Sequence, residues 1–100
     1  MRVGTIVKLK RECLDNPAGT VGVVFYDYGQ GFQAIFKNGN YDGFSSDERE
    51  EVFGGLCEAD YFLEAIGAVP TLATYQFKNV LQVEQDFRAG KFDEGLKWLN

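Results

Sequence analysis

The stretch GQGFQA at positions 29–34 satisfies the G-x-G-x-x-A pattern of dinucleotide-binding loops. In such a site the glycines let the backbone approach the pyrophosphate, and a helix must begin at the motif. Here the Asn-Gly pair at 38–39 would end a helix within about two turns, and residues 32–36 alternate as a strand does. The motif therefore predicts a hairpin turn and no cofactor site.

A second candidate for chemistry is an acidic cluster interrupted only by Arg49. It comprises Asp47, Glu48, Glu50 and Glu51. Carboxylates that hold a metal ion or act as acid and base must converge from separate segments. Adjacent acids on one short helix indicate a solvated face instead. Together with Asp27 and Asp42, the cluster could alternatively meet a basic partner surface.

Cys13 and Cys57 are the only cysteines, and the chain has no histidine. A cysteine nucleophile needs a base beside it, and a zinc site needs more ligands of the preferred kind than this chain offers. We therefore predict no catalytic residue, no metal site and no enzymatic activity. The two thiols are expected to stay reduced in a cytoplasm, with a disulfide as the alternative.

The composition is that of one globular domain over residues 1–100, with a β-rich core of aromatic side chains. Hydrophobic residues make up 45% of the chain and aromatic residues 15%, including 9 Phe. No apolar run approaches the roughly 20 residues of a membrane span, and the N-terminus lacks the apolar region of a secretory signal. The expected location is the cytoplasm.

The net charge of −5 is unevenly distributed. Four basic residues lie in the first eleven positions: Arg2, Lys8, Lys10 and Arg11. Residues 12–64 contain 11 acidic residues against only Lys37 and Arg49. An acidic surface repels nucleic acid and attracts basic partners, so we predict a protein partner with a basic surface.

Hydrophobic alternation predicts four strands in the first half of the chain. The first covers residues 1–10, with Val7 and Leu9 on its buried face and the other face mostly solvated. The second, at 20–28, is apolar on both faces, which indicates a central or strongly curved strand. The third follows the turn at 28–31. The Asn-Gly pair at 38–39 predicts a type I′ turn into a short fourth strand at 40–44.

The second half is predicted to mix helices and strands. Ser45 and Glu48 have the spacing of a helix capping box. Residues 57–65 alternate as a strand, although 57–66 could also be a short helix, and residues 72–77 predict another strand. Asn79 caps a helix with Val80, Val83 and Phe87 on one face, and a final helical segment carries Phe92, Leu96 and Leu99.

Nine residues of the front half match the motifs of a known family, over roughly the first 45 positions. They are Gly4, Val7, Leu9, Gly19, Gly22, Val24, Ala34, Phe36 and Gly39. In this respect the chain resembles the small SH3-like barrels of the KOW kind. The resemblance implies a mainly β fold with an SH3-like antiparallel barrel, which we assign to residues 1–77. The chain departs from a bare barrel through the short helix after strand 4 and a C-terminal helical extension over 78–100, both predicted from the residue patterns above. The resemblance also implies an interaction module, because such barrels bind RNA, proteins or peptides.

Aromatic residues gather around the two predicted hairpin connections. They are Tyr26, Tyr28, Phe32, Tyr41 and Phe44. They could line a groove for an extended peptide or stack on bases, or they could pack in the core. Tyr26 and Tyr28 are predicted to be exposed, because Val23 and Phe25 take the opposite face. With Asp42, Asp47 and Glu48 these aromatic residues form the predicted partner-binding site.

Three functions follow as hypotheses. The first is a non-catalytic protein–protein interaction module from a bacterium or its virus. The second is an acidic inhibitor, such as a phage anti-defence or immunity protein, that blocks a basic nucleic-acid-binding site. The third is an RNA-binding domain of the KOW kind that acts through its N-terminal basic residues.

Overall fold

The computed structural model describes residues 1–45 and 57–98. Within these ranges the strands are β1 (Thr5–Leu9), β2 (Val21–Asp27), β3 (Gly31–Phe36), β4 (Tyr41–Ser45), β5 (Cys57–Glu58) and β6 (Leu63–Ala68). The helices are α1 (Ala59–Phe62), α2 (Val80–Arg88) and α3 (Asp93–Leu96), and a short 3-10 turn spans Pro70–Leu72. The prediction of a mainly β chain is confirmed. None of the helices in these ranges has the length and apolar character needed to cross a membrane.

The strands form one sheet in the order β5-β4-β3-β2-β1-β6. Five of them pair antiparallel, and β5 joins β4 in parallel at one edge. A flat sheet of this size would put its outermost strands roughly 24 Å apart, since neighbouring strands are about 4.8 Å apart. Only the four residues of α1 separate β5 from β6 along the chain, so the sheet must curl. Among the described residues no strand pairing joins the two edges.

The curled sheet buries apolar side chains on both faces. One cluster includes Ala59 of α1. Because α1 bridges the two edges of the sheet, this cluster lies inside the curl, and we refer to it as the inner cluster. Its members are Val7, Leu9, Cys13, Val24, Phe32, Ala34, Phe36, Phe44, Ala59 and Leu63. The outer cluster joins the opposite face of the sheet to the C-terminal segments. It contains Ile6, Val21, Val23, Phe25, Ile35, Val69, Leu72, Val83, Phe92 and Leu96.

The central place of β2 confirms the prediction made from its two apolar faces. It lies between β1 and β3 and contributes Val24 to the inner cluster and Val23 to the outer one. The predicted solvation of the second face of β1 is wrong at Ile6, which is fully buried. The reason is tertiary: the C-terminal segments cover this face, and Gly95 of α3 lies directly over Ile6.

Both predicted hairpins form, but the β3–β4 turn is not type I′. Gly39 has a φ of +85°, whereas Asn38 does not have a positive φ. The Gly39 N–H donates to the backbone carbonyl of Phe36 at 2.9 Å, and the Phe36 N–H donates to the backbone carbonyl of Asn40 at 2.9 Å. This pattern is a three-residue loop with a glycine bulge. Of the described residues other than glycine, only Leu14 and Asp15 have positive φ values.

The second half of the chain departs further from its predicted elements. The alternating stretch from residue 57 divides into β5, one helical turn and β6, so each of the two alternatives holds over part of it. The strand predicted at 72–77 is wrong, because this segment does not pair with a strand of the sheet. Its aromatic side chains pack onto the sheet's outer face instead. The predicted capping-box helix lies outside the described residues, and Ser45 is the buried last residue of β4.

The helix capped by Asn79 is confirmed. The side chain of Asn79 accepts a hydrogen bond from the Gln82 N–H at 3.0 Å, and Gly90 follows the helix with a φ of +83°. Val83 is buried as predicted, but Val80 in the first turn is 54% exposed. The helix therefore begins beyond the edge of the outer cluster. Leu99, predicted to lie with Phe92 and Leu96, is outside the described residues.

Candidate functional site

An open cavity of about 610 Å³ lies at one end of the sheet's outer face, where the C-terminal cover stops. Its lining residues are Tyr26, Gln33, Tyr75, Gln76, Phe77, Lys78 and Val80. We refer to this cavity as the aromatic groove. Of the lining residues only Lys78 is charged, so the groove offers aromatic faces and neutral hydrogen-bonding groups.

The sheet supplies one wall of the groove through a β-bulge. The register of the β2–β3 pair shifts between Val24 and Tyr26, and Tyr26 then lies opposite Gln33. The extra residue lets Phe25 enter the outer cluster while Tyr26 stays 44% exposed. Both rings nevertheless contact Phe77, at centroid distances of 5.6 and 5.4 Å. The bulge thus turns two consecutive aromatic residues toward the same partner.

The segment before α2 supplies the other wall, and it is anchored at both ends. Tyr75 stacks on Phe77 at 6.2 Å and meets Phe92 of the outer cluster at 5.0 Å. The Lys78 N–H donates to Oε1 of Gln82 at 2.9 Å, which joins the end of the segment to α2. A wall held in this way loses little conformational entropy when a ligand binds.

Tyr75 is further fixed by a buried carboxylate. Its hydroxyl donates to Oδ2 of Asp86 at 2.7 Å, and Nζ of Lys91 lies 3.4 Å from Oδ1 of the same residue. Burial, followed by the hydrogen bond and the negative charge of Asp86, raises the pKa of Tyr75 well above its usual value. Tyr75 therefore stays neutral and acts as a hydrogen-bond donor that positions the groove wall.

The raised pKa of Tyr75 predicts a loss of stability at alkaline pH. Above pH 10, the unfolded chain releases the phenolic proton while the folded chain keeps it, so the free energy of unfolding falls as pH rises. We expect Tyr75→Phe to be less stable at neutral pH, because Asp86 loses a donor, and to show a shallower decline above pH 10. Urea unfolding from neutral to alkaline pH measures both effects.

The exposed Tyr61→Phe variant controls for the loss of one phenol elsewhere in the chain. If Tyr75→Phe declined above pH 10 as steeply as the unmodified chain, Asp86 and burial would not be holding the Tyr75 proton.

The aromatic residues predicted for the partner-binding site separate into two groups. Tyr26 and Tyr28 are exposed, at 44% and 38%, and their rings lie 5.9 Å apart, which confirms the predicted exposure. Phe32 and Phe44 are buried in the inner cluster with their rings stacked at 5.8 Å. These two phenylalanines are therefore core residues and cannot line a surface groove. Tyr41 is half-buried against Phe25.

The predicted acidic members of the site are only partly described. Asp42 is half-buried on β4, and its Oδ1 accepts from the N–H of Gly43 at 2.8 Å. Asp47 and Glu48 lie outside the described residues. Within the described ranges no group of three or more His, Cys, Asp or Glu residues could hold a metal ion.

Sequence reasoning missed the second wall of the groove. The stretch 72–77, which contains Tyr75 and Phe77, predicts a strand, and the helical pattern after Asn79 places Val80 on one face with Val83 and Phe87. The available signal was the aromatic pair itself, placed just before the helix cap at Asn79. What the pair packs against depends on the tertiary fold.

Two of the N-terminal basic residues support the turn that joins the sheet's edges. Nζ of Lys10 donates to the carbonyl of Asp60 at 2.8 Å, and Nε of Arg11 donates to the carbonyl of Tyr61 at 2.9 Å. The Arg11 guanidinium also lies 3.7 Å from the centroid of the Tyr61 ring. These contacts satisfy carbonyls that one helical turn leaves without partners. They provide a structural reason for both cations.

Comparisons of this chain with models of protein families, with curated proteins and with solved structures found no match.

Proposed function

We propose that this chain is a non-catalytic protein-interaction module whose aromatic groove receives an extended segment of a partner protein. The observation that carries the proposal is the arrangement of Tyr26, Tyr75 and Phe77: three rings in contact, on two separately anchored walls of an open cavity. Exposed aromatic residues in a preorganised groove are typical of sites that bind peptide segments.

The same proposal includes the SH3-like barrel. The curl of the sheet, the inner cluster and the single helical turn between β5 and β6 support a small barrel that α1 completes. The C-terminal helices then cover the barrel's outer face except at the groove. In this arrangement the groove is built from the barrel and its extension together.

The chemistry of the partner segment follows from the lining and from the net charge. The lining favours an apolar or aromatic side chain of the partner. Neutral hydrogen-bonding groups beside that side chain would pair with Gln33 and Gln76. The net charge of −5 favours basic residues elsewhere on the partner. We place this interaction in the cytoplasm.

We expect Tyr26→Ala to weaken binding of the partner by about tenfold or more, because it removes a central aromatic contact. The stability of the domain should change little, since the Tyr26 ring is 44% exposed. Affinity capture from the native host, followed by titration of the captured partner against each variant, measures the effect.

Tyr61→Ala is the matched control, because Tyr61 is similarly exposed, at 49%, and lies on α1 away from the groove lining. This variant should retain the partner. Equal affinity of the Tyr26→Ala variant and the unmodified chain would show that the groove is not the binding site.

An acidic inhibitor of a basic nucleic-acid-binding site is the second candidate, favoured by the 11 acidic residues between positions 12 and 64. Salt distinguishes it from the first. A partner held by surface charge is released as ionic strength rises, whereas a partner held by apolar contacts is retained. RNA binding through the basic N-terminus is the least supported of the three functions, because Lys10 and Arg11 already hydrogen-bond to the α1 turn.

A further inference from the structure

Three asparagine side chains tie the loop between β3 and β4 to the loop between β1 and β2. Asn16, Asn38 and Asn40 all donate from Nδ2 to one acceptor, the carbonyl oxygen of Leu14. The three distances are 3.1, 3.0 and 2.9 Å. Asn16 also donates to Oδ1 of Asn38 at 3.0 Å. We refer to these four residues as the asparagine hub.

Asn38 is followed by Gly39, and this is the only Asn-Gly pair in the chain. An asparagine before glycine is chemically vulnerable, because glycine has no side chain to shield its nitrogen from the neighbouring amide. The fold requires glycine here: its φ is +85°, and a Cβ atom would lie 3.0 Å from the Phe87 ring. The hairpin therefore imposes a reactive dipeptide on an exposed loop.

We propose that Asn38 is a deamidation site and that the asparagine hub suppresses the reaction while the two loops are joined. In the reaction the Gly39 nitrogen loses its proton and attacks Cγ of Asn38. A C–N bond forms, and the Cγ–Nδ2 bond breaks with release of ammonia. Water then opens the five-membered succinimide ring at either carbonyl, leaving aspartate or isoaspartate at position 38.

The folded structure holds each group that this reaction must move. Oδ1 of Asn38 accepts from Nδ2 of Asn16 and from the N–H of Asn40, both at 3.0 Å, while its Nδ2 donates within the hub. The Gly39 N–H donates to the carbonyl of Phe36 at 2.9 Å, which disfavours loss of its proton. Bringing Cγ onto the Gly39 nitrogen breaks these bonds, so the reaction proceeds through local opening of the two loops.

The product cannot rebuild the hub. A carboxylate has no N–H for the Leu14 carbonyl and places a negative oxygen where Nδ2 had donated. Isoaspartate also adds a carbon to the backbone of a tight loop that the Gly39–Phe36 hydrogen bond closes. Each opening that ends in reaction thus permanently removes one of the three donors to the Leu14 carbonyl and weakens the connection between the two loops.

The test compares the folded chain with the chain unfolded in urea at mildly alkaline pH. Mass spectrometry follows the mass increase of the peptide that contains Asn38, while isomerisation at the Asp42–Gly43 pair leaves the mass unchanged. We expect the folded chain to deamidate at least about tenfold more slowly than the unfolded one, because only the open fraction reacts. Equal rates in the two states would overturn the proposal.

Variants of the folded chain test the hub itself. Asn16→Ala removes a donor to Oδ1 of Asn38 and should raise the rate about fivefold, since one net hydrogen bond is worth about 1 kcal/mol. Asn40→Ala removes a second bond between the loops, the one to the Leu14 carbonyl, and should also raise the rate about fivefold. Gln30→Ala, an exposed change in the other hairpin turn, is the control, and its rate should stay within about twofold of the unmodified chain. An unchanged rate in a folded Asn16→Ala variant would refute the hub's role. If that variant does not fold, an unchanged rate in Asn40→Ala would refute the hub's role instead.

Discussion

Replacing Phe44 by alanine is expected to lower the free energy of unfolding by about 3–5 kcal/mol, the usual cost of truncating a buried phenylalanine. The Phe44 side chain is fully buried in the inner cluster. Its ring meets those of Phe32, Phe36 and Phe62 at 5.8, 6.1 and 6.5 Å. The cavity left behind would border β3, β4 and α1, which cannot all close on it. Urea denaturation followed by circular dichroism measures the change.

Tyr26→Ala is the informative control for Phe44→Ala, because both residues belong to the aromatic group predicted from the sequence to contact a partner. Tyr26 is exposed in the groove, so its truncation should cost about 1 kcal/mol or less. A loss below about 1 kcal/mol for Phe44→Ala as well would contradict its place in the core.

Gly95→Ala tests the packing of α3 on the sheet, and here helix propensity and tertiary structure predict opposite signs. Alanine is favoured over glycine in a helix by about 1 kcal/mol, so propensity alone predicts stabilisation. In the folded chain, however, a Cβ at Gly95 would lie 2.5 Å from Cγ2 of Val23 and 2.7 Å from Cδ1 of Ile6. We expect a net destabilisation of about 1–3 kcal/mol, the usual cost of overpacking a core.

A double-mutant cycle isolates the cause of the Gly95→Ala effect. Val23→Ala removes the methyl group that the new Cβ would meet, so the penalty of Gly95→Ala should shrink in the Val23→Ala background. If Gly95→Ala stabilised the chain, α3 would not lie against Val23 and Ile6 as closely as the structure places it.

Local sequence patterns predicted the front half of the fold well. The alternation in β1, the two apolar faces of β2 and the turn residues at Gly29 and Gly39 depend on interactions within a few positions or with the next strand. The same locality explains the success of the α2 prediction, because a cap at Asn79 and a glycine at position 90 act on the helix directly. The turn type at 38–39 was wrong, since the loop's length and register select it, not the dipeptide alone.

The candidate site was only half predictable. The parity of β2 predicts that Tyr26 and Tyr28 are on the surface, and both are exposed. The predicted reason is wrong for Tyr26, because the β-bulge turns its ring toward Phe77, which Phe25 also contacts. Phe32 and Phe44 are also aromatic residues that lie beside the predicted turns, yet the curl of the sheet encloses them. Tyr75 and Phe77 gave no local sign of which strand they would cover.

The amino-acid sequence by itself determined which segments of the front half become strands, where those strands turn, and how α2 begins and ends, because these features depend on side-chain period, φ preferences and hydrogen bonds between near neighbours. Only the tertiary structure decided that the sheet curls around one phenylalanine cluster and that the C-terminal segments cover its other face. It also decided where that cover stops and leaves the aromatic groove. Those outcomes depend on contacts between residues such as Tyr26 and Phe77, which are 5.4 Å apart in space and about fifty positions apart in the chain, and no local pattern encodes such a distance.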